Sequence, residues 1–322
     1  MVVRSFRAMR APAELMMTGT VQDMCAVRHA CLVPVSTEHL WEVTARWLAT
    51  GLASRERVVY FADETEDLVL RRLGEDSVAV DPALDSGQLV VVSTEQTRAV
   101  VDGPASGLRV LLRDHAADAA DAGWTGLRLA GEGWHALRRS GPGVGKLLEL
   151  EDVLEEAVAG DPNTRMLCRY DRRHFDEAAV GALRAAHHTE LVTPGMYDDN
   201  LLRISTVGTH GRAGTSGGAE TIGVRLAGEV DHSNRAEISR ALDGAIDVAL
   251  RSPTSAAEIT VDVSSLRFLD VGGAMELVRT ADCFPVSHVL VVVGAAPRVV
   301  RVLDRCGAPF APRMVVRPRA AG

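Results

Sequence analysis

The chain has 322 residues, of which 47% are hydrophobic and 24% charged, and carries a net charge of −8. That size and balance describe a globular protein with room for two domains, each with its own core. They exclude a membrane-spanning chain, since no apolar run reaches the roughly eighteen residues that a bilayer demands, and the acidic balance excludes the basic footprint of a nucleic-acid binder.

Residues 1–23 carry Arg4, Arg7 and Arg10 without an apolar core of the kind a secretory signal needs, and read as a loose tail. The five cysteines, at 25, 31, 168, 283 and 306, are odd in number and scattered, which suits the reduced thiols of a cytoplasmic protein. Lys146 is the only lysine, so lysine chemistry is nearly absent.

From residue 24 the chain alternates strands and helices. Strands are expected over 30–35, 57–62, 88–93, 126–131 and 166–170, and helices over 37–52, 64–74, 106–121, 144–158 and 176–187. In the first helix Leu40, Thr44, Trp47, Leu48 and Gly51 recur at helical spacing, with Ser36 or Thr37 as N-cap. Such alternation predicts an α/β domain with a mainly parallel sheet covered on both faces, and a ligand site at the carboxyl ends of its strands.

Three motif-like strings fail on context. "SGPGVGKLLE" (140–149) has Ser140 and Leu147 where a phosphate loop needs Gly and Ser/Thr. "GTSGG" (214–218) matches a nucleophile elbow in letters but lies in a glycine-rich stretch that supplies no strained turn. His29 and Cys31 share a strand face, with Cys168 and His174 as further candidate metal ligands. Their spacing is not compact, so buried thiols and a satisfied histidine are the expected reading and no metal site is assigned. The remaining cluster stands at strand ends: Asp63 and Glu64, Glu132 and Trp134, then Tyr170, Asp171 and Arg172. Polar and aromatic groups on one edge suit a small-molecule pocket; the competing reading makes Asp63 and Glu64 a favourable helix start and Asp171 a surface ion pair.

"HACLVPVSTEHLWEVTARWLATGLASRERVVYFADE", "GQLVVV", "GLRLAGEGWHAL" and "LCRYDRRHFD" together resemble the MEDS domain, a sensory domain of methanogen and methylotroph regulators. The family's His-x-Cys block is matched by His29 and Cys31, its Gly-Glu–Trp block by Gly131, Glu132 and Trp134, and its Cys-x-Tyr-Asp block by Cys168, Tyr170 and Asp171. The resemblance implies a fold related to RecA/KaiC-type ATPases without a working phosphate loop, hence sensing rather than hydrolysis. "PVSTEHL" after the first strand agrees, having no Gly-Lys-Ser/Thr. The sensed signal and any cofactor stay unassigned.

"STVGTHGRAGTSGGAE" (205–220) holds five glycines and five Ser/Thr and reads as a flexible linker. Charge divides there too: residues 1–204 have 31 acidic and 22 basic residues, and 221–322 have 11 and 12. The expected organisation is a tail (1–23), a sensory domain (24–204), the linker, a second domain (221–317) and a short tail (318–322).

In the second domain Ile222, Val224 and Leu226 alternate as in a half-buried strand. A helix over 233–250, a strand over 258–264, a turn after Leu269, a helix over 272–283, a strand over 288–294, a helix over 297–306 and a strand near 313–316 follow. "LAGEVDHSNRAEISRAL", "VDVSSLRFLDVGG" and "VVVGAAPRVVRVLDRCG" resemble the STAS domain of anti-sigma-factor antagonists and sulfate-transporter tails. In those antagonists a serine or threonine after the turn aspartate is phosphorylated; here Asp270 is followed by Val271 and Gly272. The resemblance implies a partner surface at Asp231, Ser233, Asp270, Val271 and Gly272 whose switch is missing. The expected function is a cytoplasmic, non-enzymatic regulator that senses a small ligand or redox signal and binds an anti-sigma factor or kinase-type protein, with a second copy of the chain as a further candidate partner. The alternatives are a degenerate RecA-like nucleotide-binding enzyme and a stressosome-like scaffold.

Overall fold

The structure, a computed structural model, describes residues 17–19, 24–76, 78–131, 143–172, 174–192, 195–207, 222–251 and 258–319. Two compact units emerge. Unit 1 comprises Met1–Pro34, Arg46–Glu66 and Ala83–Val192; unit 2 comprises Val35–Ala45, Asp67–Pro82 and Thr193–Gly322.

Unit 1 is built on seven strands: β1 (Met17–Gly19), β2 (His29–Leu32), β3 (Arg57–Phe61), β4 (Leu89–Val92), β5 (Leu127–Gly131), β6 (Thr164–Arg169) and β7 (Thr189–Leu191). They lie in the order β1-β7-β2-β6-β5-β3-β4, and every pairing is parallel. The short apolar runs explain this. Ala30, Cys31, Leu32, Val58, Val59, Leu129, Ala130 and Leu167 are all fully buried, so both faces of the sheet are covered.

Up to residue 184 the described helices are α1 (Thr37–Ala53), α2 (Glu66–Glu75), α3 (Val80–Asp85), α4 (Thr94–Asp102), α5 (Ala105–Asp121), α6 (Gly143–Gly160) and α7 (Glu177–Arg184), of which the start of α1, nearly all of α2 and the start of α3 fall in unit 2. On one face of the sheet Leu108 and Leu112 of α5, Leu147, Leu150, Leu154 and Val158 of α6, and Leu183 of α7 form a core with Val59, Leu129, Met166 and Cys168. Trp47 of α1 is fully buried and donates from its indole to the Leu129 carbonyl at 3.0 Å. The Arg128 guanidinium lies 4.4 Å from its ring centroid and pairs with Glu56 at 2.5 Å.

Besides the short α3 and β7, which the sequence reading lacks, three features depart from it. Residues 17–19, assigned to a loose tail, form β1 against β7. Helix α4 was overlooked because only Thr97 and Val101 of its nine residues are buried; its start is nevertheless written in "STEQ", where Ser93 and Gln96 form a capping box. Third, the first domain does not extend to 204.

Strands β8 (Gly195–Asp198) and β9 (Leu202–Thr206) belong to the sheet of unit 2 with β10 (Ile222–Val230), β11 (Glu258–Leu269), β12 (Val289–Ala295) and β13 (Met314–Pro318), in the order β13-β12-β11-β10-β9-β8. The first two pairings from β8 are antiparallel and the others parallel. The physical reason is local. Leu202 and Ile204 alternate inward and are fully buried, while Asp199 closes the hairpin by accepting from the amides of Leu201 and Leu202 at 2.7 and 2.6 Å. Ser205 and Thr206, read as the start of the linker, are therefore strand residues; 208–220 lie outside the described residues. Helices α8 (Arg235–Arg251), α9 (Val271–Cys283) and α10 (Pro297–Arg305) supply Ile238, Leu242, Leu277 and Leu303 to the core of this unit.

Unit 2 also buries a set of ion pairs. Arg203 donates to Glu42 at 2.7 Å and pairs with Asp198. Glu38 accepts from Arg72, and from Arg267 at 2.5 Å. Arg225 donates to Asp262 at 2.8 Å, with Asp76 3.4 Å away. No described helix is long and apolar enough to cross a membrane.

Candidate functional site

Strands β2 and β6 run side by side with His29 opposite Met166 and Cys31 opposite Cys168. Side chains alternate along a strand, so His29 and Cys31 share the face that Met166, Cys168 and, just past the strand, Tyr170 also take. Helix α6 covers this face. Its apolar stripe of Leu147, Leu150, Leu154 and Val158 contains one carboxylate, Glu151, only 1% exposed. His187, in the connection from α7 to β7, enters from the side. One ligand-type atom from each of His29, Glu151, Cys168 and His187 lies within 4.8 Å of the other three, and all four residues are buried.

Glu151 is the hub. Its Oε1 accepts from the Tyr170 hydroxyl. Its Oε2 lies 3.2 Å from His29 Nε2, 3.3 Å from Cys168 Sγ and 3.1 Å from His187 Nε2. The two imidazoles are oriented from outside. His29 Nδ1 donates to Glu155 Oε2 at 2.7 Å, one turn further along α6, and His187 Nδ1 donates to the Leu183 carbonyl at 2.8 Å. Carbonyl oxygens only accept, so Nδ1 of His187 carries a proton, and its buried Nε2 faces Glu151 Oε2.

The electrostatics follow from burial and pairing. Burial alone would lower the pKa of His29, but Glu151 and Glu155 override it and push it up to about 9. Glu151 is held well below the usual carboxylate range: burial opposes this, and His187 and His29 prevail. The Cys168 thiol and Tyr170 hydroxyl are raised by burial and by the neighbouring Glu151 charge. Cys31 is pushed up to about 12 by burial, then by Glu190. At neutral pH an imidazolium, a carboxylate, a thiol and a phenol sit together in a space without water-facing groups.

The structure thus brings together His29 and Tyr170 of the expected site residues, with Cys31 beside them, on the sheet face beneath α6 rather than at the strand ends. Asp63 and Asp171 stay half-buried at strand ends, outside the cluster. Glu132 and Trp134 lie outside the described residues. The expectation that no compact ligand set exists is corrected: its members come from four separate elements, which sequence spacing hides, and His174 is not among them. Glu151 left a readable signal, a carboxylate inside an apolar helical stripe; His187 left none. Lys146 of the glycine-rich string pairs with Glu149 at 3.4 Å on the surface.

In unit 2 the expected partner residues do converge, at the carboxyl ends of adjacent strands β10 and β11. Asp231 accepts from the Ser233 amide and hydroxyl at 2.8 and 2.6 Å. Asp270 caps α9 through the Gly273 amide at 2.6 Å and accepts from Arg235 at 3.1 Å. A Cβ on Gly272 would come within 1.9 Å of that guanidinium, whose flexible end would have to shift. Val271 is 62% exposed at the first position of the helix.

Residues 28–188 match the family described as MEDS, the MEthanogen/methylotroph, DcmR Sensory domain. No curated protein matches the chain. Among solved structures it is similar to the uncharacterized protein PH0321 of Pyrococcus horikoshii, solved in complex with an unknown peptide. The two are 13% identical, the match covers 55% of this chain and 82% of that one, and the TM-score is 0.43. It is also similar to the flagellar accessory protein FlaH of Methanocaldococcus jannaschii, at 13% identity, 56% and 76% coverage and a TM-score of 0.37. The family match spans half of the chain, which belongs to the MEDS family.

Proposed function

We propose that this MEDS-family chain is a cytoplasmic, non-enzymatic signalling regulator. Unit 1 senses a small ligand, an ion or a redox change at the His29–Glu151–Cys168–His187 cluster. Unit 2 is a STAS-like module that binds a regulatory protein of the anti-sigma-factor or kinase type around Asp270 and Val271.

The observation that carries this reading is the cluster itself, set within the stretch that matches a sensory family. Buried polar groups are costly unless each is matched. Here the cluster ties α6, β2, β6 and the α7–β7 connection to the protonation and occupancy of a few atoms. Whatever changes those atoms changes the energy of the packing around them.

The non-enzymatic side of the reading draws support from the β2–α1 connection. Residues 33–36 supply no Gly-Lys-Ser/Thr, and the N-terminus of α1 is closed by its own side chains. Ser36 Oγ accepts from the His39 amide at 3.0 Å, and His39 Nδ1 accepts from the Val35 amide at 3.2 Å. Two of the amides at this helix start, those of Val35 and His39, are thereby engaged within the turn.

Titration of the full chain with Mg-ATP tests the choice. The sensor reading expects no turnover; hydrolysis abolished by a substitution near the cluster would establish the enzyme instead. The signalling half is tested by measuring the affinity of the full chain for purified anti-sigma and kinase-type proteins of its own cell. Binding to one of them that changes in Glu151→Gln supports coupling. Binding to none overturns the partner assignment.

A further inference from the structure

The donor set at the centre of unit 1 is two imidazole nitrogens, one thiol sulfur and one carboxylate oxygen. All four come from residues at most 5% exposed. We propose that His29 Nε2, Glu151 Oε2, Cys168 Sγ and His187 Nε2 bind a divalent transition-metal ion of zinc's class. The inference deepens the sensor reading and rests on it only for what the ion would signal.

Geometry supports the ion in three ways. First, each imidazole already donates its Nδ1 hydrogen to an oxygen outside the cluster, Glu155 for His29 and the Leu183 carbonyl for His187. That is how metal-ligating histidines are oriented, with the free nitrogen facing inward. Second, Tyr170 engages Oε1 of Glu151 and leaves Oε2 as the inward-facing atom. Third, Oε2 lies 3.1–3.3 Å from its three neighbours, whereas zinc bonds of about 2.0–2.3 Å set tetrahedral donors roughly 3.3–3.7 Å apart. Forming the tetrahedron moves Oε2 outward by a few tenths of an ångström and draws together the other donor atoms, which now lie up to 4.8 Å apart.

Charge also closes. On binding, the Cys168 thiol and the His29 imidazolium each release a proton to solvent. A doubly charged cation with one thiolate and one carboxylate is then neutral, and two neutral imidazoles complete four ligands, so nothing charged remains uncompensated in the interior. Mixed nitrogen, sulfur and oxygen donors in a closed tetrahedron favour zinc-like ions over magnesium or calcium.

The test uses the full chain, reduced, stripped with a chelator and titrated with Zn2+ or Co2+ alone. The expected result is one ion per chain at a dissociation constant of about a micromolar or tighter. With Co2+ it is a thiolate charge-transfer band and the intense visible bands of a four-coordinate site. Both should vanish in Cys168→Ser and weaken at least tenfold in His187→Gln, and persist in Cys25→Ser and Cys31→Ser. A wild-type Co2+ spectrum without a thiolate band overturns the site whatever the variants' folding, as does binding that survives Cys168→Ser. Partner binding separates this from the function above: an ion bound at the cluster without any effect on partner affinity refutes the sensor reading and leaves the metal site standing, and the reverse result removes the metal alone.

Discussion

Each unit buries charged groups, and the network of unit 2 and the cluster beneath α6 in unit 1 do so on opposite principles. In unit 2 carboxylates face guanidiniums: Glu42 and Asp198 on Arg203, Glu38 on Arg72 and Arg267, Asp262 and Asp76 on Arg225. Arginine cannot be deprotonated in a protein, so these pairs are permanent and have one state. Unit 1 has such a pair too, Arg128 on Glu56, but the set beneath α6 is histidine, cysteine, tyrosine and glutamate, every member of which can gain or lose a proton or a ligand. Permanent pairs hold a shape; exchangeable groups can record a change. The contrast separates a polar interior that is scaffold from one that is a site.

The largest expected effect tests the scaffold side. Glu42→Ala leaves Arg203 buried with only half its countercharge, and removing one member of such a pair costs about 3–5 kcal/mol. Denaturant unfolding should show that loss, while Glu42→Leu combined with Arg203→Met should recover most of it. A double variant as unstable as the single would mean that the arginine is held by something other than its charge partners.

The site side responds to ligand instead. At a hundredfold excess over its dissociation constant, Zn2+ should stabilise the reduced full chain by about 2.7 kcal/mol, read as a raised thermal midpoint. Cys168→Ser should not respond. The same addition should leave the cost of Glu42→Ala unchanged, because the pair and the cluster share no groups. A zinc effect of equal size in Cys168→Ser would place the ion on the surface.

How much of this contrast could be read in advance differs between the two halves of the argument. Strand and helix periodicity foretold the parallel sheet, since buried strands such as "HACL" and "LRLAG" carry the pattern in a few residues. Histidine, cysteine and tyrosine were nominated by position, and three of them meet. Glu151 was hidden because an acidic residue in "LLELEDVLEE" looks solvated until the stripe of Leu147, Leu150 and Leu154 is placed against the sheet. His187 lies in a short connection where no periodicity operates. The boundary near 195–206 was lost because a hairpin of only nine paired-strand residues stands beside a glycine-rich stretch whose composition dominated it.

A third effect arises from a histidine that faces the permanent network. His39 is lowered to about 4 from an ordinary 6.5 by burial, then by Arg203, against Glu42, which raises it. The folded state therefore favours the neutral ring, consistent with Nδ1 accepting from the Val35 amide. A histidine depressed in this way contributes stability that is complete above pH 6.5 and lost as pH falls toward 4, up to about 3 kcal/mol. Unfolding free energies measured at pH 7 and pH 4.5 should differ in that sense, and His39→Gln should flatten the difference. An acid limb that His39→Gln leaves intact would assign it to carboxylates elsewhere.

The smallest effect on folding, and the most informative about partners, belongs to Val271. It stands at the first position of α9, directly after the Asp270 cap, with 62% of its surface exposed. Val271→Asp puts a second negative charge at a helix N-terminus, where the backbone dipole favours it by about 0.3–1 kcal/mol, and the crowding with Asp270 opposes a similar amount. Net stability should change by less than about 1 kcal/mol, so the fold remains and any loss of binding is local. Arg235 already neutralises Asp270 at 3.1 Å, which leaves the added carboxylate as the uncompensated charge on the surface. A partner that packs against an apolar valine must then desolvate that charge, at a cost of about 1–3 kcal/mol in affinity. Val271→Ser, which adds a hydroxyl without charge, should bind nearly as the wild type until it is phosphorylated. Equal affinity for all three proteins would show that the partner docks elsewhere and that the turn at Asp270 serves only to cap its helix.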